Sequence, residues 1–170
     1  MERYVLSLGS NVGSRLQNIL CACNFLKEWG EILAVSKLYL TEPVGPLQPY
    51  FLNMSILFLT YLEPEEMLVC AKNVERKLGR RYLFDKGPRE IDVDIILWSG
   101  GKFVSERLII PHPEYNKRAF VLQSLFEIPL NGFFINTEEL RIAFENCGFQ
   151  RIFPLEIGSF FVKYKLNLGG

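Results

Sequence analysis

Between Arg3 and Trp98 the spacing of apolar residues switches repeatedly between a period near 3.6 and the shorter pattern of strands. "RYVLSLG" (Arg3 to Gly9) reads as a strand. Leu16, Ile19, Leu20, Cys23 and Leu26 then recur at helical spacing, and Gly30 is expected to end that helix. "EILAVSKLY" (Glu31 to Tyr39) and "FLNMSILFLTYL" (Phe51 to Leu62) read as strands on either side of a Pro-rich loop. Pro64 suits the first turn of a second helix, with Glu65 and Glu66 favourable near its N-terminus. Met67, Ala71, Val74 and Leu78 form its inner face and Gly79 ends it. "IDVDIILW" closes the series as a strand. The order β-α-β-β-α-β predicts an α+β, ferredoxin-like sandwich, two helices against one antiparallel sheet. A short strand within "RLIIPHPEYNKR" and the helix "RAFVLQSLFEI" are added to it. Thr137 is placed to cap one more helix, ended by Gly148, and "FFVKYKL" (Phe160 to Leu166) alternates as an edge strand does.

A chain of 170 residues suits one domain, 1–170. Its 19 basic and 19 acidic residues balance, which argues against nucleic-acid binding or attachment to an acidic membrane. Neither a signal-peptide pattern nor an apolar run near 20 residues is present, so a cytoplasmic protein is expected. The four cysteines, Cys21, Cys23, Cys70 and Cys147, include no CxxC pair and read as free thiols packed as small hydrophobes.

The chemistry concentrates in "GPREIDVDIIL" (Gly87 to Leu97). Strand side chains alternate, so Asp92 and Asp94 project from one face with roots roughly 7 Å apart, while Ile91, Val93 and Ile95 face the core. Two hard oxygen donors suit one or two Mg²⁺ ions, which complete their shell with water and substrate phosphates. In isolation such a pair is equally compatible with a solvent-facing strand side. Its surroundings change the weight. Arg80, Arg81 and Arg89 lie in the loop that feeds the strand, and His112 and Arg118 lie downstream. Arginine makes forked contacts to phosphate oxygens, so carboxylates together with several arginines suggest a metal–polyphosphate site. There is no GxxxxGK[ST] loop, which excludes a P-loop enzyme. On the third strand Phe51 and Asn53 share a face, where an amide can read the edge of a flat heterocycle while the ring stacks on it.

"YVLSLGSN", "YLTEPVGPLQPYFLN", "VERKLGR", "KGPREIDVDIIL" and "LIIPHPEYNKRAFVLQSLFEI" follow in this order. Together they resemble the 6-hydroxymethyl-7,8-dihydropterin pyrophosphokinases of folate biosynthesis, from about Arg3 to Pro129. The resemblance implies transfer of pyrophosphate from ATP to the hydroxymethyl group of the pterin, with release of AMP. It implies that Asp92 and Asp94 hold two Mg²⁺ ions bound with ATP and that Arg80 and Arg89 clamp phosphates from a mobile loop, with the choice between Arg80 and Arg81 open. His112 and Arg118 would contact ATP phosphates, and Lys72 and Glu75 match positions near the nucleotide. Asn53 would hold the pterin edge, Phe51 and Phe120 would sandwich the ring, and the backbone around Thr41 and Val44 would complete the pocket. The chain departs from some relatives at Lys86, where they carry Trp, at Glu42, where a second proline is common, and in a slightly shorter loop from Gly79 to Arg89. Residues 130–170 match weakly and are expected to pack on the domain as edge cover or an oligomer contact, in a monomer or weak homo-oligomer. The competing reading is a ferredoxin-like module that binds nucleotide and pterin without chemistry.

Overall fold

A computed structural model of the chain describes residues 1–155. Strand β1 (Glu2–Ser10) lies at the centre of a sheet. It pairs antiparallel with β4 (Phe51–Thr60) on one side and β5 (Asp92–Trp98) on the other. β2 (Gly30–Val35) and β3 (Leu38–Thr41) both pair antiparallel with β4, the one after the other along its length. Helix α1 (Arg15–Leu26) carries the chain from β1 past β4 to β2, and α2 (Pro64–Lys77) carries it from β4 past β1 to β5. This is the split βαβ arrangement expected from the order of periods.

Local chemistry explains the second helix. The backbone N–H of Glu63 donates to Glu66 Oε2 at 2.9 Å, closing a capping box just before Pro64. At the other end Gly79 has φ +78°, a left-handed conformation that glycine adopts without Cβ strain. Met67, Cys70, Ala71 and Val74 face the sheet. They pack with Ile19, Cys23 and Leu26 of α1 against Tyr4, Leu6 and Leu8 of β1, Met54, Ile56 and Phe58 of β4, and Val93 and Ile95 of β5. All four cysteines are free. Cys23 and Cys70 sit in the core, where burial pushes their thiols up to about 12 and 11.

Five expectations need correction. First, α1 ends at Leu26, not at Gly30, because Glu28 N–H and Trp29 N–H bond back to Phe25 and Leu26 carbonyls in a tightened turn. Gly30 instead opens β2, where an added Cβ would lie 2.2 Å from the Leu59 carbonyl oxygen and 2.7 Å from the Phe58 ring. Gly30→Ala is therefore expected to destabilise the fold by about 2–4 kcal/mol in urea unfolding, since the obstructing atom is backbone. Second, the strand from Glu31 to Tyr39 is broken at Ser36. The Ser36 hydroxyl accepts from Ser55 N–H at 2.9 Å and donates to the Lys37 carbonyl at 2.8 Å, replacing a ladder bond by a side chain. Third, the strand from Phe51 stops at Thr60 rather than Leu62, where the Thr60 hydroxyl bonds the Trp29 carbonyl at 2.6 Å.

Fourth, the helix read over "RAFVLQSLFEI" ends at Leu125, where Glu127 N–H and Ile128 N–H turn back to the Ser124 and Leu125 carbonyls. On the side opposite α1 and α2, helix α3 (Ala119–Leu125) and helix α4 (Thr137–Asn146) place Val121, Leu122, Leu125 and Leu140 against Val5, Leu57, Ile96 and Leu97. Fifth, α4 is capped by Asn136, whose side chain accepts from Glu138 N–H at 2.8 Å; Thr137 is its first helical residue. A small hairpin of β6 (Phe103–Val104) and β7 (Ile109–Ile110) follows β5. Strand β8 (Ile152–Leu155) pairs antiparallel with β3 and covers that edge. The edge strand expected at residues 160–166 lies outside the described residues. No described helix is long and apolar enough to cross a membrane.

Candidate active site

On the face that α3 covers, the strands read in cross-strand rows. Val5 and Leu57, paired across β1 and β4, are apolar and lie under α3. In the next row Ser7 stands opposite Ser55 and Asp94, and in the one after it Gly9 stands opposite Asn53 and Asp92. Beyond these, Thr41 faces Phe51. The rows change from apolar to small and polar where α3 begins at Ala119, so the sheet floor is exposed there as a cleft of about 460 Å³. Asp92 and Asp94 line it, as expected, together with Thr41, Val44, Phe51, Asn53, Arg89, Arg118 and Phe120.

Asp92 Oδ1 accepts from Arg80 at 2.7 Å and Oδ2 from Arg89 at 2.9 Å. Asp94 Oδ2 accepts from Arg118 at 2.9 Å, and His112 Nε2 lies 4.0 Å from the same oxygen. The Glu114 N–H donates to His112 Nδ1 at 3.1 Å, which leaves the ring proton on Nε2, facing the aspartate. Burial pushes both carboxyls up. At Asp92 the Arg89 and Arg80 guanidiniums overcome it and hold the group below the usual carboxylate range. At Asp94 the Asp92 charge adds to burial and holds it above that range, against Arg118 and His112. Burial also holds His112 below its ordinary value, against the pull of Asp94.

Glu75 projects from α2 toward the backbone of Val93. It is 4% exposed and lines neither this cleft nor the cavity beside it. Its carboxylate accepts from Val93 N–H at 2.9 Å and pairs with Lys72 at 3.0 Å and with Arg80 at 2.5 Å. It thus holds Arg80 against Asp92 from below. The arginine on the aspartate is Arg80; Arg81 is exposed in the loop.

Arg89 is fixed on several sides. Its N–H donates to Asn11 Oδ1 at 2.9 Å, its carbonyl accepts from Asn11 N–H at 3.1 Å, and its guanidinium lies 5.5 Å from the centroid of the Phe51 ring. Its Nε is buried with no hydrogen-bond partner among the described residues. A buried donor without an acceptor is uncommon and suits an incoming anion. Asn53 donates to Thr41 Oγ1 at 2.6 Å, and a Cβ on Gly9 would come within 2.5 Å of Asn53 Oδ1.

A second cavity of about 320 Å³ adjoins the first, between Lys72, His112 and the β6–β7 hairpin, and Asp94 lines both. Reading the sequence alone missed Gly9, Asn11, Gln48 and Gln150. Asn11 and Gln48 join the two loops around the cleft: Asn11 donates to Gln48 at 2.9 Å, and Gln48 donates to the Lys86 carbonyl at 2.8 Å. Gly9 and Asn11 lie within "YVLSLGSN", one of the blocks that carry the resemblance, but nothing local shows that Gly9 faces Asn53. Two hard carboxylates on one strand face fit Mg²⁺, and no cluster of three or more acidic, histidine or cysteine ligands exists among the described residues to favour another ion.

Residues 5–129 match the family described as 7,8-dihydro-6-hydroxymethylpterin-pyrophosphokinase. The chain is 41% identical over 132 residues to the 2-amino-4-hydroxy-6-hydroxymethyldihydropteridine pyrophosphokinase of Aquifex aeolicus, covering 77% of this chain and 82% of that protein. With the enzyme of the same name from Bacillus subtilis it shares 39% identity over 126 residues, 72% of this chain and 75% of the relative. It is 41% identical over 134 residues to a folate synthesis bifunctional protein of Arabidopsis thaliana, across 75% of this chain and only 27% of that longer protein. The fold is similar to that of a Plasmodium falciparum HPPK-DHPS triple mutant, with a TM-score of 0.63 and 16% identity, over 85% of this chain and 43% of the other.

Proposed function

The chain belongs to the 7,8-dihydro-6-hydroxymethylpterin-pyrophosphokinase family, and from that premise we propose that it transfers pyrophosphate from ATP to 6-hydroxymethyl-7,8-dihydropterin, a step of folate biosynthesis. The hydroxymethyl oxygen attacks the β-phosphorus, the bond between the α,β-bridging oxygen and that phosphorus breaks, AMP leaves, and the hydroxyl proton is released. The observation that carries this reading is Asp94, which lines two adjoining cavities at once. One takes the pterin and the other the nucleotide, so the reacting groups meet above the aspartates.

In the larger cavity Asn53, held by Thr41, offers its carbonyl oxygen to the donor edge of the pterin, between Phe51 and Phe120, with Val44 at the rim. In the smaller one Lys72 and His112 face the nucleotide. Arg80, Arg89 and Arg118 now neutralise the aspartates and turn to phosphate oxygens when ATP is bound. Asp92 and Asp94 would hold two Mg²⁺ ions, which supply neutralisation of the phosphate charge. Positioning and charge neutralisation are the main requirements of this chemistry, and no dedicated strong base is assigned. Glu75 acts beneath the site as a positioning residue for Arg80.

The test is AMP formation from ATP in the presence of 6-hydroxymethyl-7,8-dihydropterin. AMP and pterin diphosphate are expected in equal amounts, and only with pterin and Mg²⁺ both present. Binding of both substrates with no AMP would replace this reading by the non-catalytic module. The Gly9–Asn53 contact gives a second check. Gly9→Ala is expected to weaken pterin binding about tenfold in calorimetry and nucleotide binding by much less, because the new methyl displaces Asn53 alone. Equal losses would count against Asn53 as a pterin ligand.

A further inference from the structure

Past residue 129 the chain leaves the stretch matched to the family, yet it returns to the cleft. In the pairing of β8 with β3, Ile152 stands opposite Thr41. The pairing runs one residue further: Glu42 N–H donates to the Arg151 carbonyl at 3.0 Å, and Arg151 N–H donates to Glu42 Oε2 at 3.2 Å. Alternation then puts Gln150 on the same side as Ile152 and Thr41, which is the cleft side. Gln150 does line the cleft, beside Thr41 and Glu42. Its Nε2 donates to the Glu42 carbonyl at 2.8 Å. That bond orients the carboxamide, and Oε1 has no protein donor among the described residues.

A reduced pterin presents more than one N–H along its edges. The Asn53 carboxamide has spent an N–H on Thr41 and has one oxygen to offer. Each substrate N–H left unpaired in a partly dry cleft lowers affinity. An oriented acceptor further along the sheet, beyond Thr41 on the β8 side, meets that need. We propose that Gln150 is a specificity-determining residue for the pterin, its tethered carboxamide oxygen accepting a hydrogen bond from a ring N–H. This rests on the reading of the cleft as the pterin site. It also gives the segment beyond the family match a part in substrate binding, delivered by β8.

The test compares the full chain with Gln150→Met, which keeps the stem and loses both polar ends. Phe149→Ser serves as the control, since Phe149 is the sequence neighbour and 91% exposed. KM for 6-hydroxymethyl-7,8-dihydropterin is expected to rise about three- to tenfold in Gln150→Met, the range of one hydrogen bond. KM for ATP and the melting temperature are expected to stay unchanged, and Phe149→Ser is expected to match the unaltered chain. An unchanged pterin KM in Gln150→Met overturns the inference. So does a parallel rise in both KM values with a lower melting temperature, which would make Gln150 a brace for β8 only. Failure of the unaltered chain to turn over the pterin at all would instead overturn the functional reading beneath it.

Discussion

Asp94→Ala is expected to lower pterin-dependent AMP formation by about 10³-fold while the protein remains folded. The size of the effect follows from position. Asp94 lines both cavities, so on the proposed reading its loss removes a metal ligand where the two substrates would meet. The fold should tolerate the change. Asp94 is largely but not fully buried beside the like charge of Asp92, and both effects push its carboxyl above the usual range, so the charged group is not a source of stability in the free protein. Arg118 loses its partner but is one-third exposed and can turn to water. Steady-state AMP assays over a Mg²⁺ titration, with a melting curve for the variant, check both halves. Near-normal turnover would remove the metal role from this residue.

Arg89→Ala is expected to cost about 10²-fold in turnover, and Arg89→Lys to recover little of it. Lysine keeps the charge but not the planar fork, and the fork matters here because one branch holds Asp92 at 2.9 Å while the buried Nε has no partner among the described residues. The alanine variant should also lose about 1–2 kcal/mol in urea unfolding. Asp92 keeps Arg80 but loses the largest of the charges that hold its carboxyl down. Single-turnover AMP formation at saturating ATP separates the catalytic loss from weaker nucleotide binding. Full activity in the lysine variant would show that charge alone is needed at this position.

Much of the site was legible because its parts are local. Alternation within "IDVDIILW" is enough to put Asp92 and Asp94 on one face and Val93 and Ile95 on the other, and both sets lie where that rule puts them. The same rule paired Phe51 with Asn53. Pro64 and Gly79 bound the second helix because capping chemistry acts within a few residues. The misreadings were of residues whose local preference is outweighed by a distant neighbour. Gly30 looks like a helix stop but answers to the Leu59 carbonyl, and Ser36 looks like part of a continuous strand but binds Ser55. The support that Glu75 gives Arg80 is likewise a contact between segments that no local pattern shows.

The order of the elements, the core face of each, and the residue types proposed to meet phosphate, metal and heterocycle are legible in the chain alone. These follow from periodicity and from side-chain chemistry, which are properties of short stretches. Packing between distant segments is what sets Gly9 opposite Asn53, brings Arg80 and not Arg81 to Asp92, leaves Asp94 between two cavities, and returns residue 150 to the wall of the cleft. Each of these is a matter of register or approach between segments far apart in the chain. Register between strands is set by how two faces pack, and a shift of one residue would turn Asn53 and Asp94 to the other face.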